Sequence, residues 1–525
     1  MIKYLSHRGM IIFMGVPYGH CKTNYNHMKN ILLILTLGIL VTSCEDFLTQ
    51  DPIDQIGESN FYTTDDDINM AMIAVYNGLQ STMEYEWMLT ETRSDNSRIY
   101  TPNTTSNTSK EVISMDELVV ETTHSINEIY WEANYHNIAN CNTVLDTLGV
   151  VSDSALYNQL KGEAKFIRAY HYFNLVRLYG PLFLVTERIG VDEANSKERS
   201  SVEEAYDLIL DDLLDAVDLL PESYSDEEKG RATVWAAKTL LAKVYLTLKD
   251  YEAAEALLLD VEQNSGHRLL SSYEDVFDID NELNDEIIFA VTYKKGGYGI
   301  GSPFANFFAA VNIPESYINY SGDGYNCPTY SLYSAYESND SRRDVTLANS
   351  YINDAGSIKY QNYVLKYLSD VTTEYDAEND WPVLRFADVY LMLAEIKLEL
   401  EGVDAALPYL NYTRERAGLV AYTTDDITDV LACQFAIEDE RRLEFALENH
   451  RFFDLVRTDR FITVMNEHFE NEMIYNSSGE LVSAYTDDSY EIYFPDRTVE
   501  EWQLLLPIPY SVLSVDTEAS QNPGY

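Results

Sequence analysis

From Thr63 onward the chain alternates long stretches of three-to-four periodicity with stretches that have none. The run Thr63-Thr64-Asp65-Asp66 supplies cap-type residues and first-turn acids, and Ile68, Met72, Val75, Tyr76 and Leu79 follow at helical spacing. That pattern predicts an amphipathic helix whose acids sit at its positive end. The period returns over 126–148, through Ile129, Tyr130, Ala133, Ile138, Val144, Leu145 and Leu148, and again over 155–179, where Gly180-Pro181 stops it. Ser201-Val202-Glu203-Glu204 has the form of a capping box ahead of a helix over 205–220.

Two segments read as helical hairpins. In 231–262, Leu241-Ala242, Tyr245, Asp250-Tyr251 and Ala254 follow tetratricopeptide spacing. Small Ala242 lets two helices approach while the tyrosines fill the space beside the turn. In 386–417, Ala394, Ala406 and Leu410 form the inner face and Gly402 marks the break. One such pair cannot bury its own apolar face, so the pairs must stack.

Between the hairpins the periodicity fades. Residues 265–380 are rich in Tyr, Gly, Asn and Ser, with one short strand expected at Ile287–Val291. Gly296, Gly297, Gly299, Gly301, Gly322 and Gly324 rule out a helix interior over 294–330. Tyr298, Phe304, Phe307, Phe308, Tyr317, Tyr320, Tyr325 and Tyr330 interleave with them. A further irregular stretch covers 470–500. The pattern as a whole predicts a mainly α fold, with a helical scaffold over 60–264 and 385–467 and long loop-rich insertions over about 265–380 and 470–500. Long loops on a rigid scaffold are where binding usually sits.

The N-terminus changes the picture in a different way. Met28-Lys29-Asn30 is followed by an apolar run, Ile31 to Leu40, and then by Val41-Thr42-Ser43-Cys44. The run is too short to span a bilayer of roughly 30 Å, so 28–43 reads as a signal peptide that is removed. Val-Thr-Ser-Cys resembles a lipobox, which makes Cys44 the lipid anchor, and two or more acyl chains on one residue give stable anchoring. Residues 1–27 read as an over-called extension, because an n-region starting at Met28 is complete without them. The acidic pair Glu45-Asp46 resembles a surface-export signal.

Composition then removes function classes. The chain carries 36 basic and 87 acidic residues, a net charge of −51. Such a surface repels phosphate backbones and excludes nucleic acid as a partner. Cys141 and Cys433 fall in helix-like segments and read as small buried hydrophobes. No CxxC, HExxH, GxSxG or P-loop occurs, and the sequence calls for no cofactor and no metal. Asp278-Ile279-Asp280-Asn281-Glu282 has calcium-loop spacing, but Leu283 stands at the turn glycine and Phe289 at the bidentate acid. A glycoside hydrolase needs only two carboxylates, so an acid pair among 87 stays open as an alternative.

Binding requires aromatic faces and hydrogen-bonding edges. Two regions offer them: the loop after the first helix, with Arg93, Asp95, Asn96, Arg98 and Tyr100, and the aromatic-glycine stretch, with Tyr298, Tyr317, Tyr320 and Tyr325. The five tryptophans all fall outside 290–335, so a sugar platform here must be built from Tyr and Phe. A peptide could use the same surface.

Five segments in order carry a family resemblance. They are Cys44-Glu45-Asp46-Phe47-Leu48 with Asp51-Pro52; Tyr130-Trp131 with Asn137-Ile138 and Asn140; Gly162-Glu163-Ala164-Lys165-Phe166-Ile167-Arg168-Ala169-Tyr170 running on to Tyr179-Gly180; Glu440-Arg441-Arg442 through Arg451-Phe452-Phe453-Asp454-Leu455-Val456-Arg457; and Leu506-Pro507-Ile508-Pro509 with Gln521-Asn522-Pro523-Gly524-Tyr525. Together they resemble the SusD/RagB family from Cys44 to Tyr525. The resemblance implies a single SusD-like domain over 44–525, with stacked tetratricopeptide-like hairpins and a loop-rich ligand-binding side. It also implies an outer-membrane, surface-facing lipoprotein without catalytic residues, which binds oligosaccharide or another nutrient such as peptide. Its partner would be a SusC-like TonB-dependent transporter. A periplasm-facing repeat adaptor is a further alternative. Within the motifs, Glu163, Arg168, Glu440, Arg441 and Glu444 read as ion pairs that tie stacked helices together, with catalytic charges as the competing reading.

Overall fold

The structure is a computed structural model. It describes residues 62–99, 107–476, 478–484, 498–515 and 519–525, so Cys44, the signal segment and Tyr100 lie outside the described residues. Thr63–Tyr525 forms one compact unit.

Helix α1, Asp65–Leu89, starts where the cap residues place it: Thr64 accepts from Asp67 N at 3.2 Å, and Asp67 accepts from Thr64 N at 2.8 Å. After α2 (Asn107–Asp116), α3 (Ser125–Thr147) packs along α1. Gly78 permits that contact, because a Cβ there would lie 2.2 Å from Asn137 Oδ1. Asn137 in turn donates to Val75 O at 3.0 Å. Helix α4, Ser154–Tyr179, packs on α3 and ends at Gly180, whose φ of 70° only glycine adopts easily.

After the short α5 (Val191–Ala194), α6 (Val202–Leu219) opens with the expected Ser201/Glu204 capping box and packs on α4. The first hairpin is α7 (Val234–Thr247) and α8 (Tyr251–Asn264), with Ala242 and Ala254 fully buried between its helices. Across the long insertion, α8 packs directly on α12 (Phe386–Glu401), which pairs with α13 (Val403–Arg416) and α14 (Val430–Glu444). The helices therefore stack continuously although the chain leaves the stack for more than a hundred residues. Their core at this end holds Ala387, Leu391, Ala394, Ala406, Leu410 and Phe445. Helices α15 (Arg451–Arg457), α16 (Phe461–Asn471) and, near the C-terminus, α17 (Tyr510–Val515) complete the described set.

The insertion is more ordered than its composition indicates. It holds three short helices, α9 (Phe304–Phe308), α10 (Tyr330–Ala335) and α11 (Arg343–Thr346). Strand β1 (Ser97–Arg98) pairs antiparallel with β3 (Cys327–Pro328). Strand β2 is the expected Ile287–Val291, and it pairs antiparallel with β6 (Trp381–Arg385), bringing both ends of the excursion together. Strands β4 (Leu347–Ile352) and β5 (Ile358–Val364) form a hairpin, and β7 (Met473–Tyr475) and β8 (Leu481–Ser483) form another. Ala305, Ala309, Ile313, Ile318, Tyr351, Tyr363, Val371 and Ala377 give the insertion a small core of its own. Among the described residues, no helix is long and apolar enough to cross a membrane.

Candidate functional site

The acid-rich motifs come together first, in the interior. Arg385 donates to Glu286 at 2.8 Å, to Glu444 at 3.0 Å and to Glu448 at 2.7 Å. Arg342 reaches Asp340, Glu440 and Glu444; Arg416 reaches Glu286 and Glu444; Lys366 reaches Glu448 at 2.7 Å. All of these side chains are buried. Burial opposes ionisation of Glu444, but Arg416, Arg385 and Arg342 outweigh it and hold its carboxyl well below the usual range. Buried charges persist only when paired in this way. The network ties α13 and α14 to the base of the insertion, at Glu286 just before β2, Arg385 of β6, and Asp340. Glu440 and Glu444 therefore serve packing. Glu163 and Arg168 do pair, with Arg231 and Asp212 respectively, so Arg168 links α4 to α6 while Glu163 holds the loop ahead of α7.

The loop after α1 departs from its expected role. Arg93, Asp95 and Asn96 are buried, at 1%, 5% and 0% exposure. Arg93 donates to Gln503 O at 2.7 Å and lies 4.4 Å from the centre of the Phe452 ring. Burial raises the cost of charging Asp95, yet Arg442 and Arg451 overcome it, with Arg451 Nε 2.7 Å away, and keep the carboxylate ionised. Asn96 donates to Glu91 and accepts from Arg442 at 2.8 Å. These three side chains fasten α1 to the C-terminal helices and do not face a ligand. The sequence showed a polar loop; the arginines that bury it lie more than three hundred residues further on. Even so, the β1–β3 ladder brings this loop beside the end of the aromatic-glycine stretch, so the two regions singled out in the sequence do adjoin.

The exposed aromatic surface is built by the insertion. Trp87, fully buried at the end of α1, stacks on Tyr325 at 5.9 Å and contacts Phe307 at 6.2 Å. Phe307 meets Tyr325 at 6.0 Å and Tyr375 at 5.2 Å. Tyr375 remains 39% exposed, so Phe307, Tyr325 and Tyr375 form an open platform beside a buried indole, and Tyr320, 46% exposed, stands on a neighbouring turn. Both exposed tyrosines have left-handed backbones, with φ of 68° and 60°. A bulky residue there costs roughly 1–3 kcal/mol and persists only where its surroundings fix it.

Here buried Asn306 does the fixing. It accepts from Tyr375 N at 3.0 Å and donates to Asn319 O and Ser321 O at 3.3 and 3.1 Å. Tyr320 donates its hydroxyl proton to Thr372 O at 3.2 Å, and Tyr375 donates to Asp323 at 3.1 Å. Burial pushes the Asp323 carboxyl up to about 6; the Tyr375 bond works against the rise and nearby Glu374 adds to it.

The remaining tyrosines of the stretch divide. Tyr298 is 71% exposed on the glycine loop, whose Gly296 and Gly297 amides donate to Asp376 at 2.8 and 2.9 Å. Tyr317 instead packs edge-on against Tyr351 and accepts from Ile352 N at 3.2 Å, which makes it part of the insertion's core. A second tyrosine group, Tyr330, Tyr360 and Tyr475, lines a small cleft with Arg98, Gln361 and Asn362, and Tyr333 stacks on Tyr330. On the helical side a groove of about 400 Å³ is lined by Leu398, Leu431, Phe435 and Ile437. Of its charges, Glu395 is paired with Arg457 and Glu438 with Arg460.

This arrangement, a helical stack carrying an ordered aromatic insertion, has counterparts. A family model described as the SusD family matches residues 337–525, and one described as "Starch-binding associating with outer membrane" matches 46–246. The chain belongs to the SusD/RagB-like family. SusD-like protein P25 of Formosa agariphila is 26% identical across 95% of this chain and 99% of its own length. A SusD-like protein of Bacteroides ovatus is 27% identical across 85% of each chain. Among solved structures, a laminarin-binding SusD-like protein superposes with a TM-score of 0.74 at 25% identity, covering 88% of this chain and all of that one. Surface glycan-binding protein A from Bacteroides thetaiotaomicron, in complex with laminarihexaose, shares the fold with a TM-score of 0.72 at 20% identity, over 88% of this chain and all of that one.

Within this SusD-like chain, sequence reasoning did not single out Tyr375, Asp323 or the positioning role of Asn306. Tyr375 lies in an acidic polar loop beyond the glycine-rich stretch, and tertiary contacts such as the Ser302↔Ala377 bridge bring that loop back. Phe307 and Trp87 were visible as aromatics, but their contact joins the end of α1 to α9.

Proposed function

We propose that the protein is an outer-membrane lipoprotein that captures oligosaccharide on the insertion face and passes it to a SusC-like TonB-dependent transporter. The observation that carries this reading is the platform: strained, exposed Tyr375 packs on Phe307, which meets Tyr325 and Trp87, and exposed Tyr320 bonds to the same loop at Thr372, with the backbone around both tyrosines held by the buried Asn306 amide. Sugar rings present apolar faces that stack on such rings, and hydroxyls that bond to polar neighbours such as Asp323. The laminarin-binding relative supports the ligand class. The ion networks already satisfy the motif acids, which supports capture without chemistry. Cys44 is the anchor in this reading, and Tyr298, at the tip of the glycine loop, is a further contact.

The test is calorimetric titration of the purified protein with laminarihexaose and a panel of other glycans and peptides, with each mixture checked for products. Saturable binding of a glycan that is lost in Tyr375→Ala, without products, is the expected result. Turnover, or binding of peptides alone, would sink the reading. Replacing Cys44 by Ala is expected to shift the protein from the membrane to the soluble fraction. A variant that stays with the membrane would refute the anchor.

A further inference from the structure

The platform carries a charge pattern that bears on which glycans it takes. Asp323 stands at its rim, half-buried, bonded to the hydroxyl of exposed Tyr375. The formal charge that acts on it is another carboxylate, Glu374, next to Tyr375 in the chain. Three cations on or near the insertion are engaged by acids elsewhere: Lys295 faces Glu378 at 3.8 Å, Arg98 holds Glu472 at 2.8 Å, and Lys366 holds Glu448 in the interior. The chain as a whole has a net charge of −51. A carboxylate or sulfate on a sugar seated over Tyr375 would meet Asp323 and Glu374, neither of which pairs with an arginine or lysine among the described residues. Anion-recognising sites do the reverse and place arginine forks at the ligand.

We infer that the platform selects uncharged oligosaccharides and rejects uronate- or sulfate-bearing ones, with Asp323 and Glu374 as the residues that discriminate. This inference rests on the reading of the platform as a glycan site. Its physical basis is exclusion by like charge, which specificity requires alongside favourable contacts. The stacking rings accept either class of sugar. The carboxylates decide between them.

The experiment titrates the intact protein in detergent with neutral hexaoses (β-1,3-, β-1,4- and α-1,4-linked glucans) and with oligogalacturonate and oligomannuronate of the same length, at 50 and 500 mM salt. At least one neutral hexaose is expected to bind ten-fold or more tightly than any uronate at low salt. High salt, which screens repulsion, should narrow that ratio by strengthening uronate binding, and Asp323→Asn and Glu374→Gln should each narrow it too. A uronate that binds as tightly as the neutral sugars, or whose binding weakens as salt rises, overturns the inference and leaves the glycan site standing. If no sugar of either class binds, the glycan reading falls and this inference falls with it.

Discussion

Glu444 and Asp323 are both carboxylates withdrawn from bulk water, in two parts of the same molecule. Around Glu444 stand three arginines, Arg416, Arg385 and Arg342. Around Asp323 stand a phenol and a second acid. The first carboxyl is held below its ordinary range and the second is pushed up to about 6. The difference teaches that acid residues in this chain have two employments. Beneath α14 they are half of a clamp that fixes the insertion to the helical stack. On the insertion face they are left without a cation, at a cost in stability that a purely structural surface would not need to bear. Other acids at the base of the insertion behave as Asp323 does: burial lifts Asp380 to about 7, and lifts Glu282, with Asp380 beside it, to about 8.

The comparison breaks most severely if the clamp is opened. Arg385→Met would strand Glu286, Glu444 and Glu448 with fewer cations in a buried site. Removing one partner of a buried ion pair costs about 3–5 kcal/mol. Denaturant unfolding should show a loss of that size, with glycan binding lost as well because the base of the insertion loosens. A loss below about 1 kcal/mol would mean that the network is not what holds the two parts together.

A smaller change should damage the platform and spare the clamp. Gly322 lies where a Cβ would come 2.4 Å from Ala310 O and 2.5 Å from Ala309 O. Gly322→Ala must therefore push apart the segments joined by Tyr325 N to Phe307 O at 2.8 Å and Gly324 N to Ala309 O at 3.0 Å. Overpacking of this kind costs about 1–3 kcal/mol. The expected outcome is a modest fall in the unfolding midpoint together with loss of hexaose binding. Retained binding would show that the ring geometry is not set by this close approach.

The two regions also differ in how far the sequence disclosed them. The helical stack was legible because its signals are local: the Ser201 capping box, the Gly180 stop, the Ala242 and Ala254 spacing. So was the pairing role of Glu440 and Glu444, since helical acids and bases with apolar neighbours form ion pairs more often than active sites. Arg93, Asp95 and Asn96 were misread because burial of a polar loop depends on partners, here Arg442, Arg451 and Gln503, that no local pattern reveals. The insertion read as glycine-rich loop, since β4–β5 and the short helices are brief and its core is assembled from distant Tyr and Ala residues. Tyr320 and Tyr325 were singled out by composition. Tyr375 and Asp323 join them through contacts such as the Ser302↔Ala377 bridge and the Asn306 amide, which are tertiary facts.

The smallest effect expected is also the most direct probe of the contrast, because the two employments give opposite pH dependence. Glu444 has a folded pKa below its unfolded value, so its contribution is present above pH 4.5 and is lost as pH falls through the folded pKa. Asp323 is raised from 3.8 to about 6, so the folded state holds its proton over that interval while the unfolded state releases it. Its contribution is present below pH 3.8 and is lost as pH rises through about 6. Asp323→Asn removes this dependence. Because the carboxyl is only half-buried, solvent screening reduces the effect to about 1 kcal/mol. Compared at pH 4 and pH 7.5, the variant should gain stability relative to the parent at the higher pH, while the acid limb set by the clamp stays where it was. A variant whose profile parallels the parent at both pH values would show that Asp323 is not strained in the folded state, and the contrast with Glu444 would rest on geometry alone.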